Sequence, residues 1–389
     1  MNISQTIENL ILKFIIFFFD SEANLFTETH NFHPILILHP DGRVGDTIMA
    51  TGFYRELNKK YPYSYVYVLG NEQVKEVLEP LNFVKEVFIY EKSMMSTLRL
   101  FFKLRKRKFK FILNTTDGLK PHGAFLQGQL KACQKIIFNN DQLKSTTKII
   151  NFEEGQTHFT SFYENTLNYL FADNNFDMHY QVGISLEAQQ KAEKFFEMFP
   201  GKKLVIFNAF SGSELGNFSY YNSMQIINYL LQDPDKVVIS VAGPENIETL
   251  LEWRERSLNM FSSDELARWP LLDEFQTLDE TFALMNLADF VISVDTSLVH
   301  AACALDKKLI CVYRQTGEYQ NSCQWGPRWN RAHTIILHAP STPPEVWDIN
   351  DLSFEELKEA IDEMDGITGS WDASYRRDTL SEKGESRIS

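Results

Sequence analysis

The chain has 389 residues, enough for two domains, and its 44% hydrophobic and 23% charged residues exclude a disordered, collagen-like or coiled-coil protein. Lys and Arg number 38 against 52 Asp and Glu, a net charge of −14, which argues against a general nucleic-acid binder because such a protein needs a basic footprint. The whole excess sits in one half: residues 1–200 carry 22 basic and 22 acidic side chains, residues 201–389 carry 16 and 30.

At the N-terminus, Ile7 to Phe19 is apolar apart from Glu8, Asn9 and Lys13. No basic leader precedes it and no small-residue cleavage site follows, which disfavours a secretory signal. It is also short of the ~20 residues that span a bilayer as a helix. Two readings stay open: a helix packed on the first domain, or an interfacial helix with Phe14, Ile15, Phe17, Phe18 and Phe19 in a membrane surface.

A buried strand is expected over 35–39, then the turn Pro40-Asp41-Gly42-Arg43-Val44-Gly45-Asp46 and a helix to about Lys60. Strands follow at Tyr65–Leu69 and Val84–Ile89, with a helix at Val74–Glu79 between them. A basic helix over 94–108 then leads to a strand at Phe109–Leu113. Segment 101–150 holds 11 Lys or Arg against 2 acids, with Lys103, Arg105, Lys106, Arg107, Lys108 and Lys110 close together. The default for such a run is a solvated helix face; the alternative is a patch for anionic lipid head groups or a phosphorylated acceptor.

The rhythm restarts beyond a polar stretch at Asp173-Asn174-Asn175. Helices are expected at 186–199, 219–231, from Pro244, at 279–287 and from Ser297. Strands are expected at Leu204–Phe207, Val237–Val241, Phe290–Val294 and Leu309–Tyr313. Alternation of this kind defines an α/β protein with two doubly wound parallel sheets, joined near 172–185, whose ligands bind beyond the carboxyl ends of the strands in the cleft between them. The division expected is an N-terminal helix over 1–30, domains over 31–178 and 179–365, and a polar mobile tail over 366–389.

Four cysteines, Cys133, Cys303, Cys311 and Cys323, show no CxxC or metal-ligand spacing and read as reduced thiols in a cytosolic protein. The dinucleotide GxGxxG, the P-loop, HExxH and GxSxG are all missing, which weighs against dehydrogenase, NTPase, zincin and α/β-hydrolase chemistry. Two turns stand out instead. In Val294-Asp295-Thr296-Ser297-Leu298-Val299-His300-Ala301-Ala302 a buried run ends in Asp295 and Thr296, and small residues open a helix. Helix N–H groups, the Thr296 and Ser297 hydroxyls and His300 suit a phosphate; an N-cap with a histidine packed behind it fits the same pattern. In the first turn, Gly42 and Gly45 allow a close bend, and Asp46 is either a helix-start carboxylate or a base for an acceptor hydroxyl. Asp41 rivals it, and the pattern alone does not choose between them.

Together the two turns carry a resemblance. Val44-Gly45-Asp46-Thr47-Ile48-Met49, with Phe53-Tyr54-Arg55-Glu56-Leu57 and Tyr61-Pro62, resembles the opening of glycosyltransferase family 9, the lipopolysaccharide heptosyltransferases and their relatives. Asp295 to Ala302 resembles that family's Asp-Thr/Ser-Gly-x-x-His-x-Ala-Ala donor motif, and the similarity runs from about residue 35 to 340. The resemblance implies a GT-B architecture, with the acceptor on the first Rossmann-like domain and the nucleotide-sugar on the second. It also implies inverting transfer with no metal and no cofactor besides the donor.

By position, Asp46 is then the general base, flanked on the acceptor side by Gly45, Arg43 and Asp41. Asp295, Thr296, Ser297 and His300 hold the donor diphosphate, and Glu245 or Glu248 lies near the adenosine. ADP-heptose is the implied donor and the lipopolysaccharide core the implied acceptor, at the inner face of a bacterial inner membrane. Three departures bear on the donor. Ser297 replaces a glycine, Gly216-Asn217-Phe218-Ser219 replaces a Lys-x-Trp-Pro element, and Arg314 stands where a glycine is usual and could restore the lost charge. A relative using another nucleotide-sugar, or a binding subunit without turnover, are the competing expectations.

Overall fold

Short runs of Ile, Leu, Val and Phe, buried on both faces, set the strands of two parallel sheets. The computed structural model describes residues 3–21, 24–27, 34–39, 42–91, 93–115, 119–151, 157–173, 175–270, 275, 277–316, 319–340 and 348–366. Asp41 and the expected tail beyond Gly366 lie outside the described residues.

Two compact units form: Met1–Gln189 with Cys323–Trp329, and Gln190–Ser322 with Asn330–Ser389. In the first, the elements are α1 (Ile3–Phe19), β1 (Ile35–Leu38), α2 (Val44–Lys60), β2 (Val66–Gly70), α3 (Glu72–Leu78), β3 (Glu86–Ile89), α4 (Met94–Leu104), β4 (Lys108–Asn114), α5 (Pro121–Gln129), β5 (Lys131–Phe138), β6 (Lys148–Ile150) and α6 (Thr160–Phe171). Its six strands run β3-β2-β1-β4-β5-β6, all parallel. Helices α2, α3 and α6 pack together, as do α1, α4 and α5. The basic helix stops at Leu104 rather than 108, because Lys108 already pairs with Lys131 as the first residue of β4.

The second unit comprises α7 (Leu186–Phe196), β7 (Lys203–Asn208), α8 (Tyr220–Leu231), β8 (Lys236–Val241), α9 (Ile247–Arg256), α10 (Ser263–Ala267), α11 (Leu278–Leu287), β9 (Phe290–Val294), α12 (Ser297–Ala304), β10 (Lys308–Thr316), β11 (Tyr319–Gln320), α13 (Asn321–Trp325), β12 (Thr334–Ala339) and α14 (Phe354–Gly366). α7 begins in the first unit and α13 ends there. The sheet order is β11-β10-β9-β7-β8, with β12 added beside β10. Among the described residues only β11 is antiparallel. The core gathers Phe207, Phe218, Ile227, Trp269, Ile292 and Val312. The four cysteines form no disulfide.

Candidate functional site

In the first unit, β1 and β4 are neighbours with Leu38 level with Asn114, so the residues that follow them, His39 and Thr115, meet at the carboxyl edge of the sheet. Thr115 donates its hydroxyl to the Leu38 carbonyl (3.1 Å), so His39 Nδ1 is the donor in its 2.7 Å bond to Thr115 Oγ1. The ring also lies under Gly42: a Cβ there would sit 2.2 Å from His39 Cδ2, so this turn admits only glycine. α2 then starts, with Arg43 as the extended cap residue and Asp46 three residues on.

The Asp46 carboxylate accepts only a long bond from the Arg43 N–H, 3.4 Å. Burial pushes its carboxyl above the usual carboxylate range, with that N–H and the Arg43 guanidinium pulling it partly back. Thr47 donates instead to the Arg43 carbonyl (2.8 Å). The fully buried ring of Tyr163, from α6, lies within the electrostatic reach of Asp46, which helps hold its phenol un-ionised. Asp46 is thus a partly exposed, weakly engaged carboxylate with a raised pKa. Arg43 is exposed and Gly45 partly so, in the same first turn.

In the second unit, β7 and β9 end together: Asn208 is level with Ser293. The Asn208 amide donates to Ser293 Oγ (3.1 Å), Thr296 Oγ1 (3.2 Å) and the Phe210 carbonyl (3.0 Å), fixing the turn after β9. Thr296 is the N-cap of α12, its hydroxyl accepting from the Leu298 N–H at 3.2 Å. Ser297 follows half-buried, and His300 is buried one turn into the helix. The N-cap pattern is therefore present, and it presents the positive end of α12 at the sheet edge where an anion would sit.

The sequence places Arg314 just after the strand, but it lies within it: β12 pairs along β10 as far as Arg314–Ala339, and β11 pairs with Gln315 and Thr316 beyond it. Val312 is level with Val294, the last residue of β9, so Arg314 lies beside the turn that follows β9. Its charge reaches Asp295, whose carboxyl burial pushes up to about 6 against that charge and a hydrogen bond from the Asn321 amide. Asn208, Ser293 and Asn321 escaped the sequence reading. A polar residue ending the apolar run Leu204-Val205-Ile206-Phe207 was the signal for the first.

Glu245 and Glu248 are exposed beyond β8, which β7 separates from β9, and Glu245 folds back over Gly243. The segment in place of Lys-x-Trp-Pro closes on itself through Asn217 Oδ1, which accepts the Ser211 N–H (2.6 Å), and through the Phe218 N–H to the Ala209 carbonyl (2.9 Å). No Lys or Arg occurs between Lys203 and Lys236.

Asp295 also gives a stability signature. Its folded pKa of about 6 exceeds the ~3.9 of an unfolded carboxyl, so the native state binds the extra proton between those values. Stability then falls as pH rises through that window and stays reduced above it. Asp295→Asn should stabilise the fold by about 1–2 kcal/mol near pH 8, a figure discounted for partial exposure, and by little near pH 4. Urea titrations at the two pH values check this.

Two α/β units, each a parallel sheet with a polar turn at its carboxyl edge, match the GT-B class of glycosyltransferase folds. The family model for glycosyltransferase family 9 (heptosyltransferase) matches residues 97–346, and the chain belongs to that family. The Asp46 turn precedes the matched range. A curated protein of Escherichia coli (strain K12), "Putative lipopolysaccharide heptosyltransferase 4", is 22% identical over 386 residues, covering 93% of this chain and 96% of its own. Among solved structures, the family 9 glycosyl transferase of Veillonella parvula aligns with a TM-score of 0.68 at 15% identity, over 86% of this chain and 98% of its own. The E. coli ADP-heptose lps heptosyltransferase II gives 0.66 at 15%, over 85% and 98%. At such identities the structures speak for the fold.

Proposed function

We propose that the chain transfers heptose from ADP-heptose to a sugar hydroxyl of the lipopolysaccharide core, with inversion and without a metal ion, at the cytoplasmic face of the inner membrane. The turn at Thr296 carries this reading: a helix N-terminus and the hydroxyls of Thr296 and Ser297 follow β9, with Arg314 on the neighbouring β10, a set of donors that suits a diphosphate. The named relatives supply the donor and the acceptor class, one being called a lipopolysaccharide heptosyltransferase and another an ADP-heptose heptosyltransferase.

The step balances on this chain's residues. Asp46 takes the proton of the acceptor hydroxyl as its oxygen bonds to the anomeric carbon from the face opposite the leaving group. The bond from that carbon to the β-phosphate oxygen breaks, and ADP departs with the electron pair. The α12 N-terminus, Thr296, Ser297 and Arg314 take up the charge that develops on the phosphate. Preorganised donors of this kind stabilise the leaving group in place of a cation.

A thermal-shift series with nucleotide-sugars tests the reading. ADP-heptose at 100 times its dissociation constant should add ~2.7 kcal/mol of stability, with UDP- and GDP-sugars giving less. Turnover with the core acceptor should survive EDTA and give the inverted anomer by NMR. A larger shift with a different nucleotide-sugar would reassign the donor; no shift with any would end the proposal.

A further inference from the structure

α1 has two apolar faces. Leu12, Ile15, Ile16 and Phe19 recur at helical spacing and pack into the core of the first unit. Ile7, Leu10, Ile11, Phe14, Phe17 and Phe18 recur at the same spacing on the opposite face and stand in solvent, Phe17 at 80% exposure. A helix meant only to cap a domain would carry charge there; here the outer face is more apolar than the inner one. Six large side chains in one stripe exceed the scattered apolar exposure of an ordinary surface.

The neighbouring helices say what covers it. Nearly all of α5 is buried between α1 and α4, with the rings of Phe19 and Phe101 at 5.2 and 5.4 Å from Phe125. α1 seats this closely because position 128 is glycine: a Cβ there would sit 2.8 Å from the Phe19 carbonyl oxygen. α1 runs parallel to α5. Glu8 lies near Lys120 at the start of α5 (3.9 Å), and the Phe19 carbonyl accepts from the Gln129 side chain at its end (2.6 Å). α4 and α5 each precede a parallel strand, so both finish at the amino edge of the sheet.

Phe17 and Phe18 therefore share one end of the layer with the cations that close α4. Arg105 and Lys106 are exposed there, with Arg105 stacked on the exposed Phe102 ring at 5.0 Å, and Arg99 is exposed midway along α4. Lys103 is spent on Glu86 (2.9 Å) and Arg107 on the Tyr67 ring (4.4 Å). Asp20, closing α1, is turned to the N–H groups of Lys144 and Ser145. This end lies opposite the carboxyl edge that bears Asp46, so these cations do not serve the acceptor there.

We infer that the outer face of α1, with Arg99, Arg105 and Lys106 of α4, is a monotopic docking surface for an anionic bilayer. The phenylalanines enter the headgroup–acyl boundary, and the cations meet lipid phosphates. Among the described residues no helix is long and apolar enough to cross a membrane, so α1 lies in the surface. The inference rests on the proposed function only for why a bilayer should be present; docking itself needs no sugar.

The full chain is sedimented with vesicles of phosphatidylethanolamine and phosphatidylglycerol, and with phosphatidylcholine alone, at low and high salt. It should partition onto the anionic vesicles, more strongly at low salt. R99Q/R105Q/K106Q should lower that partition on the order of 100-fold, at about tenfold or less per cation. F14S/F17S/F18S should lower it at least as much, with both variants keeping the parent's Tm. F17W, which keeps the face apolar, should show an added indole emission that moves blue on the same vesicles.

Absence of co-sedimentation at low salt, or unchanged binding in the phenylalanine variant, overturns the inference. So does a solution dimer that F14S/F17S/F18S converts to monomer without any vesicle binding, which would assign the face to a second copy. The nucleotide-sugar thermal shift is measured without lipid, so its failure would end the transferase reading and leave the docking result standing.

Discussion

Asp46→Asn should lower turnover by roughly 10²–10⁴-fold and leave donor affinity nearly unchanged, the range and pattern expected when a general base is removed from the acceptor side. The substitution keeps size and hydrogen-bonding capacity at the start of α2. If Asp46 merely satisfied the Arg43 N–H, asparagine would do so equally well and activity would survive, since Asn is as good at a helix start as Asp. The 3.4 Å length of that bond already makes it a weak anchor. The pH profile supplies a second readout. Burial raises the Asp46 pKa, so the ionised base is lost as pH falls through that raised value. kcat/KM of the parent should therefore decline on the acid side earlier than an ordinary carboxylate would dictate, and the Asn variant should lose that limb. Near-normal turnover in Asp46→Asn would move the assignment to another group.

Much of the fold was legible because buried strands in a parallel sheet read as unbroken apolar runs. Leu36-Ile37-Leu38, Val66-Tyr67-Val68-Leu69 and Phe290-Val291-Ile292 each became a strand where expected. β5 escaped because Lys131, Gln134 and Lys135 interrupt its run. Lys135 is nonetheless fully buried, its Nζ 3.3 Å from the Gly128 carbonyl, with burial pulling its pKa down to about 8. The same lysine was counted in the basic segment 101–150, which shows how composition overstates a surface patch. The reach of β10 was also hidden, since Arg314 is held by pairing with β12, and Gln315 and Thr316 by pairing with β11, rather than by their own character.

Of the candidate site, the Asp46 and Thr296 turns were legible from a small-residue helix start after an apolar run. Their supports were not. Thr115 reaches His39, and Asn208 reaches Thr296, only because the chain order places β4 beside β1 and β7 beside β9. Local sequence holds no record of that adjacency. For α1 the structure shows one face packed on the first unit, as the buried helix would be, and an opposite apolar face that stands exposed.

Arg314→Ala should weaken binding of the nucleotide-sugar by ~1.5–3 kcal/mol, roughly 10–150-fold in Kd, the cost of losing a hydrogen bond to a charged group. Arg314 lies two residues past Val312, which pairs with Val294 at the end of β9, and so belongs to the strand beside the turn that carries Thr296, while the loop after β7 has no cation to offer. Arg314→Lys should recover part of the loss, because a point charge remains but the planar fork does not. The neighbouring carboxyl reports independently. Arg314's charge favours ionised Asp295, so its removal should raise the Asp295 pKa beyond about 6 and shift the pH dependence of stability upward with it. Calorimetric titration of donor into Arg314→Ala, across the pH range where Asp295 titrates, reads both effects. Unchanged donor affinity with a shifted Asp295 titration would confine Arg314 to holding Asp295, and would leave the leaving phosphate to the α12 N-terminus and the hydroxyls of Thr296 and Ser297.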